Sequence, residues 1–193
     1  MWHSATKYLN GHSDVTAGVI AGPRELLDRI WDVGLLTGAV LGPFDAWLLL
    51  RGMRTLALRL QRHNTNGQAV AEALAGHPAI YAVHYPGLAN HPQHDVATSQ
   101  MTGFGGVLGI ELAGGFAAAD AFLSHLRYSR RSASLGGVGS LAVHPASMWR
   151  GMLSDEQIAA SGVPLGLVRL AAGTEDTADL VTDAIAATDN TLK

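Results

Sequence analysis

His3-Ser4-Ala5-Thr6-Lys7-Tyr8-Leu9-Asn10-Gly11-His12-Ser13-Asp14 contains one of only two lysines in the chain; the other is Lys193, and every remaining lysine-or-arginine cation is an arginine. Lysine can lose its proton and condense with an aldehyde to a Schiff base, which arginine cannot do. In an extended segment residues i and i+2 point the same way, so Ser4 and Thr6 would offer two hydroxyls to one anion while Lys7 turns to the other side. An aldehyde that also carries a phosphate would satisfy both faces. Spacing alone leaves a second reading open, a solvated lysine near the start of a chain.

Residues 4–15, Ser-Ala-Thr-Lys-Tyr-Leu-Asn-Gly-His-Ser-Asp-Val, resemble the lysine segment of the Cys/Met-metabolism (transsulfuration) family of pyridoxal phosphate enzymes. That family includes cystathionine lyases, cystathionine γ-synthase, methionine γ-lyase and O-acetylhomoserine sulfhydrylase. The resemblance continues in family order through Pro43-Phe44-Asp45-Ala46-Trp47-Leu48-Leu49-Leu50-Arg51-Gly52, His84-Tyr85-Pro86-Gly87-Leu88 and Gln100-Met101-Thr102-Gly103-Phe104-Gly105-Gly106. It ends with Ser134-Leu135-Gly136-Gly137, His144-Pro145-Ala146-Ser147-Met148 and Gly166-Leu167-Val168-Arg169-Leu170.

The resemblance implies an α/β fold, the C-terminal portion of a PLP-dependent transferase-like (fold type I) subunit. Residues 1–56 would close the large cofactor domain; residues 57–193 would form a small C-terminal α/β domain entered by a long linking helix. The implied cofactor is pyridoxal 5'-phosphate. Lys7 matches the Schiff-base lysine, Ser4 and Thr6 match hydroxyls on the cofactor phosphate, Arg169 matches the arginine that grips the substrate α-carboxylate, and Ser134 helps hold the same group. The implied activity is a carbon–sulfur lyase or related transsulfuration reaction, elimination or replacement on cystathionine, methionine or an O-acyl-homoserine. Partners would be the amino-acid substrate and either further copies of the chain or a complementing N-terminal half.

Three departures bear on this. The family's pyridinium-nitrogen aspartate and ring-stacking tyrosine belong to the other half of its subunit and have no counterpart here. Ala133 stands where γ-acting cystathionine enzymes often carry Glu before Ser-Leu-Gly, which leans towards methionine γ-lyase-like or broad C–S lyase chemistry. Met148 is followed by Trp149-Arg150 rather than Thr-His. Met1 lies three residues before Ser4, which favours a truncated or split reading frame; an orphan half-protein that assembles without catalysis is the alternative.

Composition agrees with a folded globular protein rather than a disordered one. The 193 residues are 48% hydrophobic and 15% charged, the net charge is −3 and cysteine is absent. These values suit one to one and a half domains and suggest no nucleic-acid partner, disulfide or thiolate metal site. No basic segment followed by an apolar run opens the chain, so a cytoplasmic protein is the default. The most apolar run, 34–50, is broken by Asp45, Pro43 and three glycines. It falls short of the ~20 apolar residues of a membrane span and reads as buried core.

Along the chain, 15–21 reads as a buried strand and Pro23 opens a helix carrying Leu26, Leu27, Ile30 and Val33. A loop is expected over 34–42 and a buried helix over 43–50. Residues 54–75 form one helix with a Leu56, Leu60, His63, Gly67, Val70, Leu74 seam, leaving Arg59, Arg62, Gln68 and Glu72 off it. Strands are expected at 80–85, 107–113, 132–135 and 167–171. Helices are expected at 94–101, from Gly115 to about Arg127, after the Ser154–Gln157 capping box, and at 177–187. His91 and His94 have a ligand-like spacing, but no third ligand follows at a recognised distance, so no metal is assigned. Arg169 is a lone arginine in an apolar strand; its fork suits a carboxylate, either a substrate's or a structural acid's.

Overall fold

The computed structural model describes residues 1–192 and divides the chain into two units, Met1–Leu58 and the remainder from Arg59.

In the first unit β1 (Trp2–Ser4) pairs antiparallel with β2 (Gly18–Ile20), Ser4 opposite Gly18. Between them Ala5–Leu9 forms a π-helical turn, in which Lys7 has φ −90° and ψ −124°, outside helical values. The extended run expected to align Ser4 with Thr6 therefore stops at Ser4. α1 (Arg24–Thr37) runs through Gly34, and the helix closes instead at Gly38, whose φ of 73° places it in the left-handed region that glycine adopts at low cost. α2 (Pro43–Met53) starts on Pro43, whose missing N–H needs no partner in a first turn.

Two expectations fail here. The strand is only three residues long, with Gly18 and Ile20 exposed. The 34–50 run is not core: Leu36 is 89% exposed, Phe44 68% and Leu50 64%, and α1 buries no residue. Nothing within the first unit covers these side chains; Ala5, Val15 and Leu49 are its buried apolar residues.

The second unit is a five-stranded sheet in the order β3-β4-β7-β6-β5. β3 is Ile80–His84, β4 Val107–Leu112, β5 Arg130–Arg131, β6 Leu141–Val143 and β7 Leu167–Ala171. All neighbours run antiparallel except β5 and β6. Alternation decides the buried face: Leu108, Ile110 and Leu112 point into the core while Gly109 and Glu111 are half-buried. Val168 and Leu170 join them, and helices α3 (Leu56–Leu74), α5 (Gly115–His125) and α8 (Thr177–Asp189) supply Val70, Leu74, Phe122 and Leu180 to the same cluster. α4 (His94–Gln100), α6 (Pro145–Trp149) and α7 (Asp155–Ala160) are short. The capping box closes as expected at α7, with the Ser154 N–H donating to Gln157 Oε1 at 2.8 Å and the Gln157 N–H to Ser154 Oγ at 3.3 Å.

α3 buries His63, Gly67, Val70 and Leu74 of its expected seam, but also Arg59 and Asn66, so the seam is wider than the apolar pattern indicates. Arg59, expected off the seam, is only 6% exposed. His63 is a bonded core histidine: Nδ1–H donates to the Ala172 carbonyl at 2.7 Å. His144, also buried, donates from Nε2 to the Leu165 carbonyl at 2.7 Å and accepts from Ser147 Oγ at 2.8 Å.

Desolvation pushes both imidazoles below their ordinary value of 6.5. Above that value both states are neutral; as pH falls, the unfolded chain takes up protons that the folded one refuses, so stability declines. The midpoint of denaturant unfolding should therefore drop between pH 7.5 and pH 5.5, and equal midpoints would contradict the assignment of His63 and His144 as buried neutral groups.

Candidate active-site residues

Lys7 is half-buried in the π-helical turn of the first unit. Thr6 on the preceding position donates its hydroxyl to the Ala17 carbonyl at 3.3 Å and accepts from the Ala17 N–H at 2.9 Å. The same carbonyl also receives the Thr6 backbone N–H at 3.2 Å. The hydroxyl proton of Thr6 is thus free to turn to an anion without stranding Ala17, because the backbone bond remains. Ser4 is exposed at the end of β1 and its side chain does not cap the turn that follows. A primary amine with two adjacent hydroxyls suits an aldehyde carrying a phosphate, so these residues fit pyridoxal phosphate.

Arg169 sits on β7 of the second unit, opposite Gly109 on one neighbouring strand and Val143 on the other. Its Nη2 donates to the carbonyls of Ala133 and Ser134, the latter at 2.8 Å. Those carbonyls explain why no strand forms over 132–135: they turn towards the guanidinium instead of a neighbouring ladder, and strand β5 ends at Arg131. The structure thus brings Ser134 and Arg169 together through the Ser134 main chain. Arg169 Nε is buried and has no hydrogen-bond partner, and among the described residues no carboxylate forms an ion pair with this arginine. Burial lowers its pKa, yet a guanidinium stays charged. A buried guanidinium N–H with no acid beside it among the described residues is costly to leave unpaired.

Other polar features are internal. His94 Nδ1 donates to the Pro86 carbonyl at 2.8 Å and His91 Nδ1 accepts the Gln93 N–H at 3.2 Å. Among the described residues no group of three His, Asp or Glu is placed to hold a metal, and no helix is long and apolar enough to cross a membrane. Arg127 lies beyond the end of α5, its N–H donating to the Asp183 carboxylate, and Arg131, in strand β5, bonds Asp120 and Ser124. Arg150, one of the departures, lies 4.0 Å from the centroid of the Phe116 ring, which in turn meets His144 at 4.6 Å. Asn10, at the end of the lysine turn, and the Glu175–Ser140 pair (2.6 and 2.9 Å) in the second unit are polar anchors that the sequence reading passed over. For Asn10 the only signal was an Asn and an Asp four apart inside the lysine motif.

The profile of the family described as Cys/Met metabolism PLP-dependent enzyme matches residues 1–189. L-methionine gamma-lyase of Pseudomonas deceptionensis is 52% identical over 183 residues, covering 94% of this chain and 46% of that protein. Cystathionine gamma-synthase of Mycobacterium leprae is 46% identical, again over 94% of this chain and 46% of the relative. In three dimensions the chain superposes with a TM-score of 0.92 on cystathionine gamma synthase from Xanthomonas oryzae pv. oryzae, solved in complex with aminoacrylate and cysteine, at 46% identity over 99% of this chain and 50% of that one. The chain spans about half the length of the relatives it matches. It belongs to the Cys/Met metabolism family of PLP-dependent enzymes, and its α/β architecture is that of these relatives.

Proposed function

We propose that this chain supplies the reactive lysine and the carboxylate-binding arginine of a PLP-dependent carbon–sulfur lyase or related transsulfuration enzyme. The substrate would be a sulfur amino acid or an O-acyl-homoserine. The observation that carries this reading is Arg169: a half-buried guanidinium on a sheet strand, oriented by two main-chain carbonyls, with its Nε buried and unpaired. A carboxylate is the ligand that its fork accepts at two points.

Pyridoxal phosphate, when bound, supplies an electron sink for charge that develops at the substrate α-carbon. Lys7 would engage its aldehyde and, once the substrate amine has replaced it, take and return the proton at that carbon. Thr6 and Ser4 would hold the phosphate, and Ser134 would help Arg169 fix the α-carboxylate. Ala133, with no acid at that position, favours a methionine-type over a cystathionine-type substrate. The active form would be a homo-oligomer or an assembly with a complementing chain, in the cytoplasm.

Arg169→Lys tests the reading in the assembled enzyme. Lysine keeps the charge but not the planar fork, so substrate KM should rise by a factor equivalent to about 1.5–3 kcal/mol while cofactor retention stays within a few-fold. Release of 2-oxo acid from methionine, cystathionine and O-acetylhomoserine is the assay; an unchanged KM on all three removes Arg169 from the carboxylate site.

A further inference from the structure

Asn10 closes the lysine turn and is wholly buried. Its Nδ2 donates to Asp14 Oδ1 at 2.7 Å. A carboxylate can only accept, so this bond fixes which end of the amide is which. Oδ1 is consequently turned towards Gly52 of α2, where it has no donor. The fit is close: a Cβ on Gly52 would collide with the Asn10 main-chain carbonyl and lie 2.9 Å from Oδ1. The Asn10 carbonyl accepts from His12 Nδ1 at 2.7 Å.

The main chain of the same residue holds the turn. The Asn10 N–H donates to Ala5 at 3.0 Å and the next N–H, that of Gly11, donates to the Lys7 carbonyl at 2.8 Å. Gly11 has φ 75°, a conformation that disfavours other residues. Lys7 is therefore held at its carbonyl while its own φ and ψ depart from the helix around it. The direction of its side chain is set by this backbone and not by a regular helix.

We propose that Asn10 is a positioning residue for Lys7: its bond to Asp14 and its fit against Gly52 fix the turn that presents the lysine amine. In this role Asn10 acts only through Lys7. The inference rests on Lys7 being the amine that condenses with pyridoxal phosphate. An amine displaced by about 1 Å from its productive geometry loses roughly a hundredfold in rate.

The test uses the 193-residue chain, pyridoxal phosphate, borohydride reduction and peptide mapping, with label at Lys193 as the internal standard. Asn10→Ala, Asp14→Ala and Gly52→Ala should each lower the Lys7 to Lys193 ratio by about tenfold or more. Asp14→Asn keeps an acceptor for Asn10 Nδ2 and should stay near the parent ratio. Amide exchange at Asn10 and Gly11 should accelerate in the three damaging variants and not in Asp14→Asn; this readout needs no cofactor. Ratios and exchange unchanged in Asn10→Ala and Gly52→Ala overturn the proposal, and so does a fall accompanied by lost protection throughout the second unit. If the parent chain takes no label at Lys7, the Lys7 assignment fails on its own, and the exchange rates still decide whether Asn10 holds the turn.

Discussion

Lys7→Arg will eliminate reductive labelling by pyridoxal phosphate at position 7 and lower turnover of the assembled enzyme by at least about 10²–10⁴-fold. Arginine preserves charge and approximate length, so a purely electrostatic role for position 7 would survive the exchange. It cannot surrender a proton at accessible pH and cannot condense with an aldehyde. The loss therefore isolates the nucleophilic and proton-transfer roles from the charge. Because the only other amines are Lys193 and the α-amine, the mapped label has three possible locations. Label at Lys193 or at the α-amine in the parent chain, with none at Lys7, removes Lys7 from the chemistry.

How far the sequence could be read depended on whether a pattern was satisfied within its own unit. β4 and β7 were legible because alternation of Leu108, Ile110 and Leu112, and of Val168 and Leu170 around Arg169, is enforced by one buried face. The capping box and α8 were legible because their signals are local, the Asp176 side chain accepting from the N–H groups of Ala178 and Asp179 at the start of the helix. Residues 34–50 were misread because apolarity reports what a segment avoids, water, and not what covers it. Leu36, Phe44 and Leu50 carry the pattern of core without a core in the first unit.

The site residues show the same split. Arg169 could be singled out as a charge among apolar neighbours, since only a specific partner makes such burial tolerable. That its guanidinium leans on the Ala133 and Ser134 carbonyls could not be read, because those bonds join residues 35 and 36 positions apart through main-chain atoms that carry no residue-type signal. Ser4 and Thr6 were paired on the assumption of extended backbone, and the π-helical turn from Ala5 replaces it. What that turn needs is supplied by Asn10 and Gly52, which belong to no hydrophobic period and are seen together only when two segments meet.

The 193-residue chain alone will release little 2-oxo acid, and adding a polypeptide equivalent to the remaining half of a methionine γ-lyase will raise the rate by at least about 10²–10³-fold, the scale of a single preorganised electrostatic contact. The chain spans about half of its relatives, and its sequence offers an amine, two hydroxyls and an arginine but no residue matched to the family's ring-nitrogen acid or stacking tyrosine. A cofactor that must carry positive charge on its ring to act as an electron sink needs that acid. The first unit also presents a groove of about 670 Å³ lined by Ile20, Leu27, Ile30, Trp31, Val33 and Val40. Leu36, Phe44, Trp47 and Leu50 lie exposed in the same unit. Apolar surface on this scale is unfavourable in water and draws chains together. Sedimentation of the isolated chain should therefore show concentration-dependent association, and co-expression with the complementing half should reduce it while cofactor absorbance and turnover appear together. Robust turnover by the purified chain alone would require another source for the ring-nitrogen partner, and a monodisperse monomer at high concentration would mean that the exposed face of α1 and α2 is satisfied without a partner.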